Sequence, residues 1–390
     1  QPSPSKQPQP KLLVITTMLN VIIVGAGLIG PRHAQSVITN PSTNLLALVD
    51  PSPSASSVAK TLNTLYFPSL SALLSATPDI PHPDAAIICT PNHTHVPVAL
   101  ELISHNIHIL LEKPISDTIT TALPLLQAQQ KYPDVKILIG HHRRFNPYIT
   151  KTKEILESGS LGPIIALSGL WTLYKPASYF TGATEWRRDK TKGGVLSINL
   201  IHDVDLLHYL FGPITRVYAE KTLPQRGGPD GNENHTAEEG AAITFRFASG
   251  VVGTFVVSDC APSPWNFEAG TGENPIIPKV GGVGGGFYRV LGSQGSLSVP
   301  DLKRWSYDGV EGEKGWNQKL QVEEFEVDEG VPFDLQLEHF VRVLEGGETP
   351  RCDAVEGLRA LVVVDAVKRA METEEVVKVE SVEEILAKNE

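Results

Sequence analysis

The spacing of hydrophobic and polar positions changes character near the middle of the chain. From residue 19, short aliphatic and β-branched runs alternate with stretches of helical spacing. The runs are "NVIIV" ending at Val24, "NLLALVD" ending at Asp50, "DAAIICTP" ending at Pro91, "NIHILLEKP" ending at Pro114 and "VKILIGHHRRF" from Val135. "VPVALELISH" and "TALPLLQAQQKY" lie between them and read as helices. Strands alternating with helices predict a doubly wound parallel sheet, with ligands bound beyond the carboxyl ends of its strands. The second half reads differently. "GPIIALSGLWTLYK", "AAITFRFASGVVGTFVVSD", "FYRVLGSQGSLSVP" and "LQVEEFEVDE" show partial alternation and predict strands. Helical spacing returns around "FDLQLEHFVRVLEG" and "AVEGLRALVVVDAVKRAME". The Gly- and Pro-rich residues 261–286 predict a long loop, and loops of that length are often functional.

Composition narrows the function classes. The 390 residues predict two domains. Apolar content of 41 % and charged content of 20 % are those of a soluble globular protein. The net charge of −11, without a basic stripe, argues against nucleic acid and anionic membranes as partners. Cys89, Cys260 and Cys352 are few, odd in number and far apart, which fits a reducing compartment, read as the cytoplasm. No cysteine or histidine spacing suggests a metal site. The polar, proline-rich start predicts a disordered extension over residues 1–18. The apolar run that follows resembles a signal-peptide core, but its second half is needed as the first strand, and Met18 is read as the natural start.

The first strand runs into Gly25-Ala26-Gly27-Leu28-Ile29-Gly30, a G-x-G-x-x-G between strand and helix. Gly25 permits the turn, Gly27 admits a pyrophosphate, and Gly30 lets helix and strand pack. The helix start then offers free N–H groups to phosphate. Asp50 stands twenty residues after Gly30, at the end of the second strand, where a carboxylate accepts hydrogen bonds from an adenosine ribose and repels a 2′-phosphate. NAD is therefore expected over NADP; the competing reading of Asp50 is an ordinary cap. Thr90, Pro91, Asn92, His95, Glu112, Lys113 and His141 lie at or beside strand ends and are expected to face the same crevice.

"GGVLSINLIHDVDLLHYLFG", residues 193–212, places Leu196, Leu200, Val204, Leu207 and Phe211 on helical spacing. Asn199, His202 and Asp205 are three apart and share a face. One reading of His202 is a core histidine bonded to Asp205; the other is a proton-handling residue. "GAGLIGPRH", "CTPNHTH", "EKP", "HHRRFNP", "EWRRDKTKGG" and "HDVDLLHYLFG" occur in the order found in the Gfo/Idh/MocA oxidoreductases, which the chain resembles from about residue 19 onward.

That resemblance implies a Rossmann domain, residues 19–143, and a C-terminal α/β domain built on a large open, mostly antiparallel sheet, residues 144–390. It implies oxidation or reduction of sugars, cyclitols or related polyhydroxy compounds with NAD(P). Lys113 corresponds to the active-site lysine and His202 to the general acid/base, suited to proton transfer near neutral pH. One departure stands out. Many members carry an Asp four residues before the histidine, where this chain has Ile198; Asn199 offers a polar contact but no charge. Asp205 is the alternative orienting group for His202. Lys175, Trp186, Arg187, Asn199 and Arg144 are the candidate substrate contacts, with a solvated charged face as the competing reading of Lys175. At least one of Arg143 and Arg144 is read as structural. Two rivals remain at this point: a dinucleotide-binding regulator without catalysis, and an NAD-dependent glycosidase of the same fold. A homodimer or homotetramer is expected, with subunit pairing covering the open sheet.

Overall fold

The computed structural model describes residues 18–76, 79–226, 234–280 and 286–389. The expected N-terminal extension falls outside these residues except for Met18. The first sheet is built from β1 (Leu19–Val24), β2 (Thr43–Val49), β3 (Leu65–Phe67), β4 (Ala85–Ile88), β5 (His108–Glu112) and β6 (Ile137–Gly140). Between them run α1 (Gly30–Thr39), α2 (Ala55–Thr61), α3 (Leu70–Ser75), α4 (His95–Ser104) and α5 (Ile119–Lys131). All strand pairs are parallel, in the order β3-β2-β1-β4-β5-β6. Helices cover both faces, so strand residues such as Ile22, Ile87 and Leu110 are fully buried without alternation. The strand order switches direction between β1 and β4, the point beyond whose carboxyl ends such sheets bind ligands.

The chain continues through α6 (Pro147–Glu157), β7 (Ile164–Thr172), α7 (Ile201–Phe211), β8 (Ile214–Lys221), β9 (Gly240–Phe247), β10 (Val252–Ser258) and α8 (Phe267–Thr271). Next come β11 (Tyr288–Gly292), β12 (Gly295–Val299), β13 (Lys303–Ser306), β14 (Gln321–Glu324), α9 (Pro332–Leu344), α10 (Ala354–Thr373), β15 (Val377–Lys378) and α11 (Val382–Asn389). The second sheet has nine strands in the order β14-β13-β12-β11-β7-β10-β9-β8-β15. Its pairs are antiparallel except β7 with β10. Strands β9 and β10 alternate between buried and exposed positions except at one end of each, because helices cover only one face. The molecule is thus a doubly wound parallel sheet joined to a large, mostly antiparallel open sheet.

The last helices return to the first sheet. Residue Gly357 of α10 sits so close to β6 that a Cβ would lie 2.9 Å from the Ile139 side chain. The Ile139 N–H donates to the Cys352 carbonyl at 2.7 Å, and Ser36 of α1 donates to Asp334 of α9 at 2.5 Å.

Four sequence expectations are corrected here. The run expected as a strand from Val135 to Phe145 ends at Gly140, and His142–Phe145 form a 3-10 turn. The segment 193–212 is not one helix: a π-turn, Leu196–Leu200, precedes α7. The expected strand at 320–329 is only the four-residue exposed edge β14. Residues 261–280, expected as plain loop, contain α8, and residues 281–285 of the same expected loop lie outside the described residues.

Candidate active site

The joint between β1 and α1 is shaped for a phosphate. Gly25 has φ +106°, and a Cβ there would lie 2.6 Å from the Cys89 carbonyl. At Gly30 a Cβ would collide with the Gly25 carbonyl. Nothing lies within 4 Å of where a Gly27 Cβ would be, so this backbone is open to a ligand. Leu28 is 88 % exposed and Ile29 half-buried; Pro31 has no N–H, and the Arg32 and His33 N–H groups donate to the Ile29 carbonyl, so the Gly27–Gly30 backbone is the part that faces a phosphate. Asp50 accepts the Ala26 N–H and the Ser52 N–H, each at 2.7 Å. It ties the glycine turn to β2 and keeps lone pairs for two hydroxyls. The Thr90 hydroxyl is buried without a partner, with Pro91 exposed and Asn92 half-buried beside it. These groups fit a dinucleotide.

Two residues expected at the cofactor are braces instead. Both ring nitrogens of His95 lie 2.8 Å from carbonyls, those of Thr90 and Pro114, and the ring is buried. His95 therefore pins the ends of β4 and β5 together. Glu112 meets His33 of α1 at 2.7 Å and accepts the Lys113 N–H at 3.1 Å. Burial pushes the Glu112 carboxyl up, but the His33 hydrogen bond and the nearby charges of His33, His142 and Lys113 outweigh it, holding the group at about 2.

Lys113 precedes a cis proline, Pro114, and its amine donates to the Ile198 carbonyl at 3.4 Å. Burial lowers its pKa to about 8; Glu112 opposes the shift and Arg143 adds to it. His202 is 7 % exposed, with Nδ1 buried and unpartnered. Its ring centroid is 5.5 Å from that of His142 and 6.5 Å from that of His141. Burial, then the charges of Lys113 and Arg143, hold His202 well below its ordinary pKa. The imidazole is neutral at neutral pH and able to accept a proton.

Asp205 is not the orienting group for His202. It takes a bidentate pair from Arg144, Nε to Oδ2 at 3.0 Å and Nη2 to Oδ1 at 2.7 Å, and lies 3.5 Å from His141 Nδ1. Arg144, expected at the substrate, is 2 % exposed and spends its other donors on the Arg351 carbonyl and Glu356. It is a clamp between the end of β6, α7 and the start of α10.

Arg143 points the other way. It donates to Glu268 at 2.5 Å and Glu273 at 3.2 Å, with its guanidinium 4.2 Å from the Phe267 ring centroid. Glu268 also accepts the Trp171 indole N–H at 2.8 Å, and Glu273 takes His142 at 3.1 Å. Asp203, next to His202, accepts from the Tyr288 hydroxyl at 2.5 Å, and burial raises its pKa to about 7. Sequence reasoning named neither carboxylate of the loop nor Asp203 and Tyr288. The one available signal was the unusual length and composition of residues 261–286.

Lys175 donates to Asn199 at 2.5 Å and lies 3.7 Å from Asp259 and 4.5 Å from the Tyr179 ring centroid. It is 6 % exposed, not part of a solvated face, and burial lowers its pKa to about 8. Arg187 stacks on the same tyrosine at 3.9 Å, while Trp186 is 43 % exposed at the rim. The sequence-named residues thus separate into the Gly25–Gly30, Asp50 and Thr90 end, the Lys113–His202 centre, and the Lys175–Asn199–Arg187 wall, with His95 and Arg144 in the frame.

Residues 19–141 match the oxidoreductase family NAD-binding Rossmann fold, and residues 153–379 match the oxidoreductase family C-terminal α/β domain. The chain belongs to the Gfo/Idh/MocA oxidoreductase family. Like other members of the Gfo/Idh/MocA family, it is an oxidoreductase with a nicotinamide-dinucleotide fold. An uncharacterized oxidoreductase of Bacillus subtilis, YrbE, is 32 % identical over 200 residues, 51 % of this chain and 55 % of that protein. Inositol 2-dehydrogenase of Rhizobium meliloti is 22 % identical over 356 residues, covering 90 % of this chain and 96 % of the relative. Among solved structures, the WlbA dehydrogenase from Bordetella pertussis, in complex with NADH and UDP-GlcNAcA, superposes with a TM-score of 0.69 at 21 % identity. That match covers 93 % of this chain and 99 % of the other, and shows the shared fold.

Proposed function

We propose that the protein is an NAD-dependent dehydrogenase that interconverts a secondary alcohol and a ketone on a sugar, cyclitol or related polyhydroxy compound. The observation that carries this reading is the convergence of Lys113 and His202, both held below their ordinary pKa, beyond the carboxyl end of β5. Residues 19–143 form the nucleotide half and 144–390 the substrate half.

When bound, the nicotinamide ring accepts or returns the hydride. The chain supplies the rest. Gly27 and the start of α1 take the pyrophosphate, Asp50 the adenosine ribose, and Thr90 the inner part of the dinucleotide. Lys113 orients the substrate hydroxyl and relays its proton, and His202 takes that proton in oxidation and returns it in reduction. Lys175, Asn199 and Arg187 hold the remaining substrate oxygens, and Trp186 closes the rim. Asp50 favours NAD over NADP by repelling a 2′-phosphate.

The open sheet face pairs with a second copy of the chain, giving a homodimer or homotetramer. Val252, Thr254 and Val256 of β10 and Leu291 of β11 stand on that face, beside a groove of about 680 Å³. The groove lies on this outer face and includes none of the residues around His202. The chain works in the cytoplasm, consistent with three free thiols. No helix among the described residues is long and apolar enough to cross a membrane.

The test is NADH formation at 340 nm over inositols, sugars, sugar acids and hydroxy acids, with NAD and NADP in parallel. Turnover on one polyhydroxy class with NAD, and a shift toward NADP in Asp50→Ser, are expected. Tight NAD binding without turnover on any compound would contradict the dehydrogenase reading.

A further inference from the structure

We propose that the π-turn Leu196–Leu200 is the positioning device for Lys113: the Ile198 carbonyl holds the amine at the reacting centre through a neutral oxygen, and Ser197 and Asn199, tied to Lys368 and Lys175, fix the turn that presents it. The inference rests on the proposed place of Lys113 at that centre.

Three consecutive residues of one turn each accept from a different lysine. Lys368 of α10 donates to Ser197 Oγ at 2.7 Å, Lys113 after β5 donates to the Ile198 carbonyl at 3.4 Å, and Lys175 after β7 donates to Asn199 Oδ1 at 2.5 Å. A π-turn widens a helix locally and commonly marks a functional site. Here it joins three distant segments immediately before His202.

The acceptors are neutral, and that matters most at Lys113. An ammonium in contact with a carboxylate keeps its proton, whereas a desolvated one on a neutral oxygen releases it more easily. The carboxylates around Lys113 are committed elsewhere. Glu112 serves His33 and a backbone N–H, Glu268 serves Arg143 and Trp171, and Glu273 serves His142, Arg143 and Asn146. Arg143, His141 and His202 are the other titratable groups nearby. The turn therefore fixes the amine without locking its proton. Lys113 can exchange that proton with the substrate hydroxyl or pass it to His202, and proton number is conserved because the amine gains what the hydroxyl loses.

The test is competitive acetylation of the full chain with trace acetic anhydride across the pH range, read at Lys113 by peptide mass spectrometry. The wild-type protein is expected to titrate at Lys113 well below an exposed surface lysine on the same chain. Ser197→Ala and Lys368→Met should release the turn and move the Lys113 midpoint upward. Ile198→Asp, which adds a carboxylate on the presenting residue, should raise it by about one pH unit or more, a tenfold change in proton affinity. The alkaline shift of the turnover profile should follow the same order, while NADH affinity stays constant. Circular dichroism identifies any variant that fails to fold, and Ser197→Ala, the smallest change, then decides. An ordinary lysine midpoint in the wild type, or a midpoint indifferent to Ser197→Ala in the folded protein, would overturn the proposal. The titration needs no substrate, so its failure is separate from failure of the dehydrogenase reading.

Discussion

Two adjacent arginines after β6 do different work. Arg143 reaches the loop carboxylates beside the reacting centre, while Arg144 clamps Asp205 to the start of α10. The sequence "HHRRF" offers no means of telling them apart. Their partners are Glu268, 125 residues away, and Asp205, 61 residues away, and only the fold brings them together. The clamp predicts the outcome of Arg144→Met. It strands a fully buried carboxylate and should cost roughly 3–5 kcal/mol in denaturant unfolding, with little change in substrate KM for protein that remains folded. A large KM increase at unchanged stability would return Arg144 to the substrate. His95 gives the same lesson: a histidine at a strand end, in a motif shared with a cofactor-binding family, spends both nitrogens on the carbonyls of Thr90 and Pro114.

The best-read element is the β1–α1 joint, because its chemistry is local: three glycines at fixed spacing, each with a separate steric reason. Those reasons separate two variants. Gly30→Ala should destabilise the chain, since its Cβ meets the Gly25 backbone. Gly27→Ala should fold normally, since its Cβ meets nothing, yet bind NADH at least tenfold more weakly in fluorescence titration. Equal stability of both variants, or unchanged NADH affinity in Gly27→Ala, would contradict this. Other elements were less legible. The apolar spacing of Leu196, Leu200, Val204 and Leu207 is compatible with a continuous helix, and an extra residue in one turn barely disturbs it, so the π-turn left no trace in the pattern. The loop at 261–286 announced itself by composition, but the approach of Glu268 and Glu273 to Arg143 depends on the position of α8 against β7 and β11. Likewise Ile198 replaces the acid that the family resemblance implies, while the carbonyl facing Lys113 belongs to the backbone and is invisible in the side-chain sequence.

At the scale of the molecule, the parallel sheet was legible in its continuous apolar runs, while the open antiparallel sheet came from the family resemblance, the sequence itself showing only partial alternation. What covers the open face was an expectation from the same resemblance. Val256→Arg places a charge on the exposed face of β10, beside Thr254 and across from Leu170 and Ala242, and should lower the mass measured by light scattering, without loss of secondary structure. A wild-type monomer would contradict the pairing. The ionisable centre also sets the direction of the pH dependence. Oxidation needs Lys113 and His202 able to accept a proton, so kcat for alcohol oxidation should rise as pH increases through about 8, and ketone reduction should fall over the same interval. The proposed function stands on these two residues handling the proton. The most direct measurement is NADH formation by the wild type, Lys113→Ala and His202→Ala, with NADH affinity measured beside it. Each variant should lose about 10²–10⁴-fold in turnover while binding NADH as the wild type does. Turnover retained in both variants would contradict that role.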